Sequence, residues 1–90
     1  MGWRVKLTET AGKQLSKLDR KAQADIYRYL EERIETDEDP RRFGDALRKD
    51  LSGLWKYRTG DYRIVCDIQD KKVLILVLRV GHRSKVYGGH

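Results

Sequence analysis

Ninety residues with 39% hydrophobic and 38% charged side chains allow one small domain over residues 1–90, built on a single core that buries roughly 60% of the unfolded chain's surface. The lone Cys66 closes no internal disulfide, and one Cys with two His completes no tetrahedral zinc site. No apolar run approaches the ~18 residues of a membrane span, and residues 1–6 lack the apolar stretch of a signal peptide, so a cytoplasmic protein with neither metal nor cofactor is expected. The net charge of +6 is unevenly placed: from Leu54 onward eight basic residues face three acidic ones, which suits an anionic partner such as nucleic acid or an acidic protein.

Residues 3–8 alternate Trp3, Val5, Leu7 with Arg4, Lys6, Thr8, the period of a half-buried strand. Thr8 is a candidate N-cap for a helix in which Ala11, Leu15 and Leu18 recur at helical spacing. Asp19 caps a second helix, with Ala22, Ile26, Leu30 and Ile34 forming an i, i+4 apolar stripe that fades at Thr36-Asp37. The polar stretch 36–45, which holds the only proline, reads as a loop.

From Leu54 the period switches to two, predicting three strands at 54–59, 62–69 and 72–81 joined at Gly60-Asp61 and Asp70-Lys71. A two-residue loop at Gly60-Asp61 sets Thr59 against Tyr62, Arg58 against Arg63, Tyr57 against Ile64, Lys56 against Val65 and Trp55 against Cys66. That register gathers Trp55, Tyr57, Tyr62, Ile64 and Cys66 on one face and Lys56, Arg58 and Arg63 on the other, whereas a three-residue loop would force the cations onto the apolar face. The third strand, 73–78, is apolar on both sides, which predicts a strand that is central or covered on both faces, and any uncovered strip of Leu74, Leu76 and Leu78 becomes a candidate partner surface. The expected class is α+β: an N-terminal strand, an αα-hairpin and an antiparallel three-strand meander, with the helices on one face of the sheet.

Two arginines directly opposed on a hairpin repel by roughly 0.2 to 1 kcal/mol, a cost with no structural purpose. If a two- or four-residue second loop pairs Arg63 with Leu78, then Lys56, Arg58, Arg63, His82, Arg83, Lys85 and Tyr87 surround one end of the sheet. Such a set suits a phosphate backbone flanked by titratable groups. It fits RNA cleavage by the ribose 2′-OH, which needs a base, charge stabilisation on the phosphorane and an acid for the leaving oxygen, but no metal. His82 is the natural proton-transfer group, the arginine forks match the phosphate, and Tyr87 can stack on a base or join in proton transfer. Against this stands the plainer reading in which these are solvated strand arginines, an inert histidine near a terminus and a core-closing tyrosine.

The element order, together with residues 54–65 (LWKYRTGDYRIV) and 79–87 (RVGHRSKVY), resembles the RelE/ParE toxin superfamily and lies closer to its RelE branch. The resemblance covers essentially the whole chain. It implies a toxin of a type II toxin–antitoxin pair that enters the ribosomal A site, cuts messenger RNA there as a metal-independent endoribonuclease, and is neutralised by a cognate antitoxin wrapped around it. On that footing Arg63, His82, Arg83 and Tyr87 are the catalytic candidates, and Lys56, Arg58 and Lys85 the RNA-binding ones. The competing expectation is a ParE-like poison of DNA gyrase that shares the fold and performs no chemistry.

Overall fold

The computed structural model describes residues 2–47 and 54–83. Two side-chain caps begin the helices as expected. The Thr8 hydroxyl accepts from the Ala11 N–H and opens α1 (Glu9–Ser16), and the Asp19 carboxylate accepts from the Ala22 N–H and opens α2 (Arg20–Tyr29). A π-helical turn over Leu30–Ile34, closed by the Glu35 N–H to the Leu30 carbonyl at 2.8 Å, extends α2. Leu30 and Ile34 are both buried there, completing the stripe begun by Ala22 and Ile26.

The strands are β1 (Arg4–Leu7), β2 (Asp45–Ala46), β3 (Leu54–Thr59), β4 (Tyr62–Gln69) and β5 (Leu74–His82), hydrogen-bonded in the order β1-β5-β4-β3-β2. β1 runs parallel to β5, and the other pairings are antiparallel. Gly60, at φ +61, makes the two-residue turn between β3 and β4, and the observed pairs, Thr59 with Tyr62 through Trp55 with Cys66, are those of the expected register. The helices and one sheet face enclose Leu15, Ile26, Ile34, Tyr57, Ile64, Cys66, Ile75 and Val77, each almost wholly buried. Among the described residues, no helix is long and apolar enough to cross a membrane.

Three features depart from the expectations. The loop region 36–45 ends in a strand, β2, because the Pro40–Arg42 3₁₀ turn and Gly44 at φ +75 lead the chain alongside β3. The β4–β5 connection is a 3₁₀ turn over Asp70–Lys72 with Val73 left-handed at φ 50, so β5 begins at Leu74 instead of residue 72. The third concerns pairing. Gln69 faces Leu74 and Cys66 faces Val77, but Val65 faces Arg79, so Leu78 is an extra residue and Arg63 lies opposite Gly81, not Leu78.

As the fifth strand outruns β1, helix α1 covers its free edge. The Thr8 hydroxyl donates to the Leu78 carbonyl at 3.3 Å, and the Gln14 side-chain carbonyl accepts from the Val80 N–H at 2.8 Å. β5 therefore has neighbours on both sides, the central place that was one of the two expected from its apolar pattern, while Leu74, Leu76 and Leu78 remain half-buried.

Candidate nucleic-acid interface

Alternation along the strands and the observed register assign side chains to the sheet face opposite the helices. One row across that face reads Gly81, Arg63, Arg58; the next reads Arg79, Val65, Lys56, Asp45. Four cations thus occupy two adjacent rows at one end of the sheet. Val65 is only 5% exposed although it lies outside the main core, flanked by Arg79 and Lys56, whose long stems are suited to covering apolar surface. Farther along, the rows become apolar and mixed: Lys6, Leu76, Asp67 and Leu54, then Arg4, Leu74 and Gln69.

Arg58 is exposed and Arg63 half-buried. The Arg63 guanidinium donates to the Gly60 and Tyr62 carbonyls at 3.4 and 3.3 Å, and those dipoles offset part of its repulsion from Arg58. Gly81, beside Arg63, adds no side chain to the row and leaves the guanidinium approachable from the β5 side. Arg83 follows at the strand end, its N–H bonded to the Asp61 carbonyl at 2.8 Å, which ties the start of the C-terminal tail to the β3–β4 turn.

His82 is placed differently from the expected cluster. Its β4 partner is Tyr62, the two rings meet edge to face at 5.9 Å, and both belong to the helix side of the sheet. Together with Gln14, Lys17 and Leu18 they line a cavity of about 430 Å³ that also reaches Arg79 and Gly81 along the same strand. The cause is Leu78: one unpaired residue inverts the parity of the strand after it, putting Arg79 and Gly81 on the arginine face and turning His82 away. Lys56, Arg58 and Arg63 are brought together; His82 is not part of that row. Lys85 and Tyr87 lie outside the described residues.

Sequence reasoning passed over Arg79 and Asp45. The alternation in 73–80 is masked by an unbroken apolar run, so nothing in it marks the bulge that turns Arg79 toward Lys56. Asp45 sits in a strand too short to show any period. A cavity of about 440 Å³ beside β3 joins Asp45 to Lys56, Arg58 and Arg63, with Tyr29 and Phe43 on its other walls.

Burial pushes the Tyr29 hydroxyl above the ordinary phenol range, an effect the Arg33 guanidinium partly opposes. Burial also raises Tyr57, whose hydroxyl donates to the Pro40 carbonyl at 2.7 Å. Such an arrangement can bind a polyanion over the cationic rows and hold a flat polar ligand beside them.

The comparisons with known proteins agree with this architecture. A family profile described as the ParE toxin of the type II toxin–antitoxin system parDE matches residues 5–87. The toxin RelG of Mycobacterium tuberculosis is 32% identical over 87 residues, covering 97% of this chain and 98% of the relative. Toxin RelE of the same organism is 33% identical over 85 residues, covering 94% and 86% respectively. Among solved structures, the toxin–antitoxin complex RelBE2 from Mycobacterium tuberculosis contains a chain that superposes with a TM-score of 0.81 at 30% identity, covering 94% of this chain and 95% of that one. With a profile and curated relatives that each span nearly its whole length, this chain belongs to the RelE/ParE superfamily of toxins from type II toxin–antitoxin systems.

Proposed function

We propose that this toxin is a ribosome-dependent endoribonuclease that cuts messenger RNA in the A site and so inhibits translation. The observation that carries the reading is the pair of directly opposed arginines, Arg58 and Arg63, with Lys56 and Arg79 in the adjoining row. A sheet built for stability alone has no use for this repulsion, whereas a phosphate backbone offsets it. The 2′-oxygen attacks phosphorus, the bond to the 5′-oxygen breaks, and the extra negative charge on the phosphorane falls to guanidinium groups that are already positioned.

In this reading Arg63 and Arg83 hold the scissile phosphate and Arg58 grips the flanking backbone. Lys56, on the arginine face, shares the proton transfers with Lys85 and Tyr87 of the tail. His82, on the other side of the strand, is a neighbour of this set and borders it only where the strand ends. The few groups available do not both orient a free RNA and cleave it, so the ribosome supplies substrate positioning.

Further support comes from relatives that bear the names RelE and RelG and from a neighbour solved as a toxin–antitoxin complex. By the same likeness we assign this chain a cognate antitoxin, acidic and partly helical, that covers the cationic rows and the Leu74, Leu76, Leu78 strip. The profile's ParE description favours a second reading, a gyrase-binding poison without chemistry.

One paired experiment separates the two. Primer extension on ribosome-bound messenger should show new 5′ ends with the protein present, while naked messenger survives and gyrase supercoiling proceeds normally. Blocked supercoiling with intact messenger would replace the ribonuclease by the poison, and rapid cleavage of naked RNA would remove the ribosome from the proposal.

A further inference from the structure

The cationic rows explain Arg58, Arg63 and Lys56, but not the groups that meet them across the edge of β3. The cavity there, about 440 Å³, is within the range of small-molecule sites, and the residues on its other walls include Tyr29, Phe43 and Asp45. A site for phosphate alone needs only the cations. Asp45 would repel an anion, and aromatic rings offer it nothing. A nucleobase uses every wall: an aromatic surface for its π-face, a carboxylate for its N–H donors, and cations for its ring-nitrogen and carbonyl acceptors.

We propose that this cavity is a nucleobase pocket next to the phosphate held by Arg63, and that Asp45 selects guanine by accepting from N1–H and N2–H₂ together. Guanine is the base that sets two donors side by side on its Watson–Crick edge, matching the two oxygens of one carboxylate, while its O6 and N7 acceptors suit the Arg58 guanidinium, whose five donors exceed what the flanking backbone takes up. Uracil offers a single ring N–H between two carbonyls, which a carboxylate repels. The inference rests on the ribonuclease reading and adds a specificity-determining residue to it.

The pocket is held in shape before any ligand arrives. Tyr29 packs against Tyr57 and Phe43 with ring centroids 5.9 and 6.5 Å apart. Arg42 lies over the Phe43 ring at 4.4 Å and is itself bridged to Glu38 at 2.9 Å. The Trp55 indole N–H donates to the Phe43 carbonyl at 2.7 Å, and the left-handed Gly44 lets the chain close against β3 so that Asp45 pairs with Lys56. Rigid walls of this kind lower the ordering cost of binding a flat ligand.

The test is a titration of the ¹⁵N-labelled protein with GMP, UMP and inorganic phosphate, read by amide chemical shifts, for the wild type and Asp45→Asn. All three ligands should move the amides of Arg58 and Arg63, but only GMP should also move those of Tyr29 and Asp45. GMP should bind about tenfold or more tightly than UMP. Asp45→Asn should bring the GMP-to-UMP ratio within about twofold while phosphate still binds, which also reports an intact fold. Equal affinities for GMP and UMP in the wild type, or an unchanged ratio in Asp45→Asn, would overturn the pocket. Base discrimination that holds while primer extension shows no cleavage sustains the pocket and removes the ribonuclease reading instead.

Discussion

Arg58 and Arg63 face each other across the β3–β4 hairpin, and the adjoining row adds Arg79 and Lys56. Fixed guanidinium charge is worth most where negative charge develops, so Arg63→Ala should slow the cleavage step about 10²- to 10³-fold without altering the fold. Arg63→Lys should rescue poorly because an ammonium lacks the planar fork. Proton transfer separates Lys56 from His82. Lys56→Ala should cost about 10² in rate, whereas His82→Ala, with its ring against Tyr62 on the helix side, should cost less than about tenfold. Single-turnover primer extension on programmed ribosomes measures all four variants, and a hundredfold loss in His82→Ala would put the histidine back in the proton path. The arginine pair was readable because Gly60-Asp61 sets its register; the side on which His82 lies was not, because one unpaired leucine within an apolar run leaves no mark on periodicity.

At the level of elements, the Pro40–Arg42 turn and β2 form a strap that closes one side of the cationic groove. Two β3 side chains clamp it, Tyr57 through the Pro40 carbonyl and Trp55 through the Phe43 carbonyl, each at 2.7 Å. At Gly44 the chain is left-handed, and a Cβ there would collide with the Lys56 carbonyl. Gly44→Ala should therefore destabilise the protein by at least about 1 to 3 kcal/mol. Tyr57→Phe should cost about 1 to 3 kcal/mol by leaving a buried carbonyl without its donor. Urea unfolding of both variants checks this, and a Gly44→Ala variant as stable as the wild type would mean that the strap is not clamped as described. The helix caps at Thr8 and Asp19 were legible because capping is local chemistry. A two-residue strand was not, since it exists only where β3 offers it an edge.

At the scale of the whole molecule, the core and its rim place three of the described ionisable groups, Cys66, Tyr57 and Tyr29, where charge is disfavoured. Burial pushes up the Cys66 thiol and the Tyr57 and Tyr29 phenols. In the unfolded chain these groups lose protons near about pH 8.5 and 10, while the folded chain retains them. Their burial therefore costs nothing below about pH 8.5, and stability falls as the pH rises through about 9 and 10. Urea midpoints should decline across that range, with Cys66→Ala removing the part that begins first. A midpoint that stays level from about pH 8 to 10 would contradict the burial of these groups.

By itself the sequence determined the α+β class, both helix caps, the β3–β4 register and the cationic face, because each depends on local spacing or on a turn that a few residues dictate. The tertiary structure decided what depends on neighbours. β5 outran β1 and took its edge bonds from Thr8 and Gln14, and the unpaired Leu78 moved His82 to the helix side and Arg79 to the arginine face. The clamped strap carried Asp45 to Lys56. Parity after a bulge and the partner of a strand edge belong to pairs of segments, and no single segment records them.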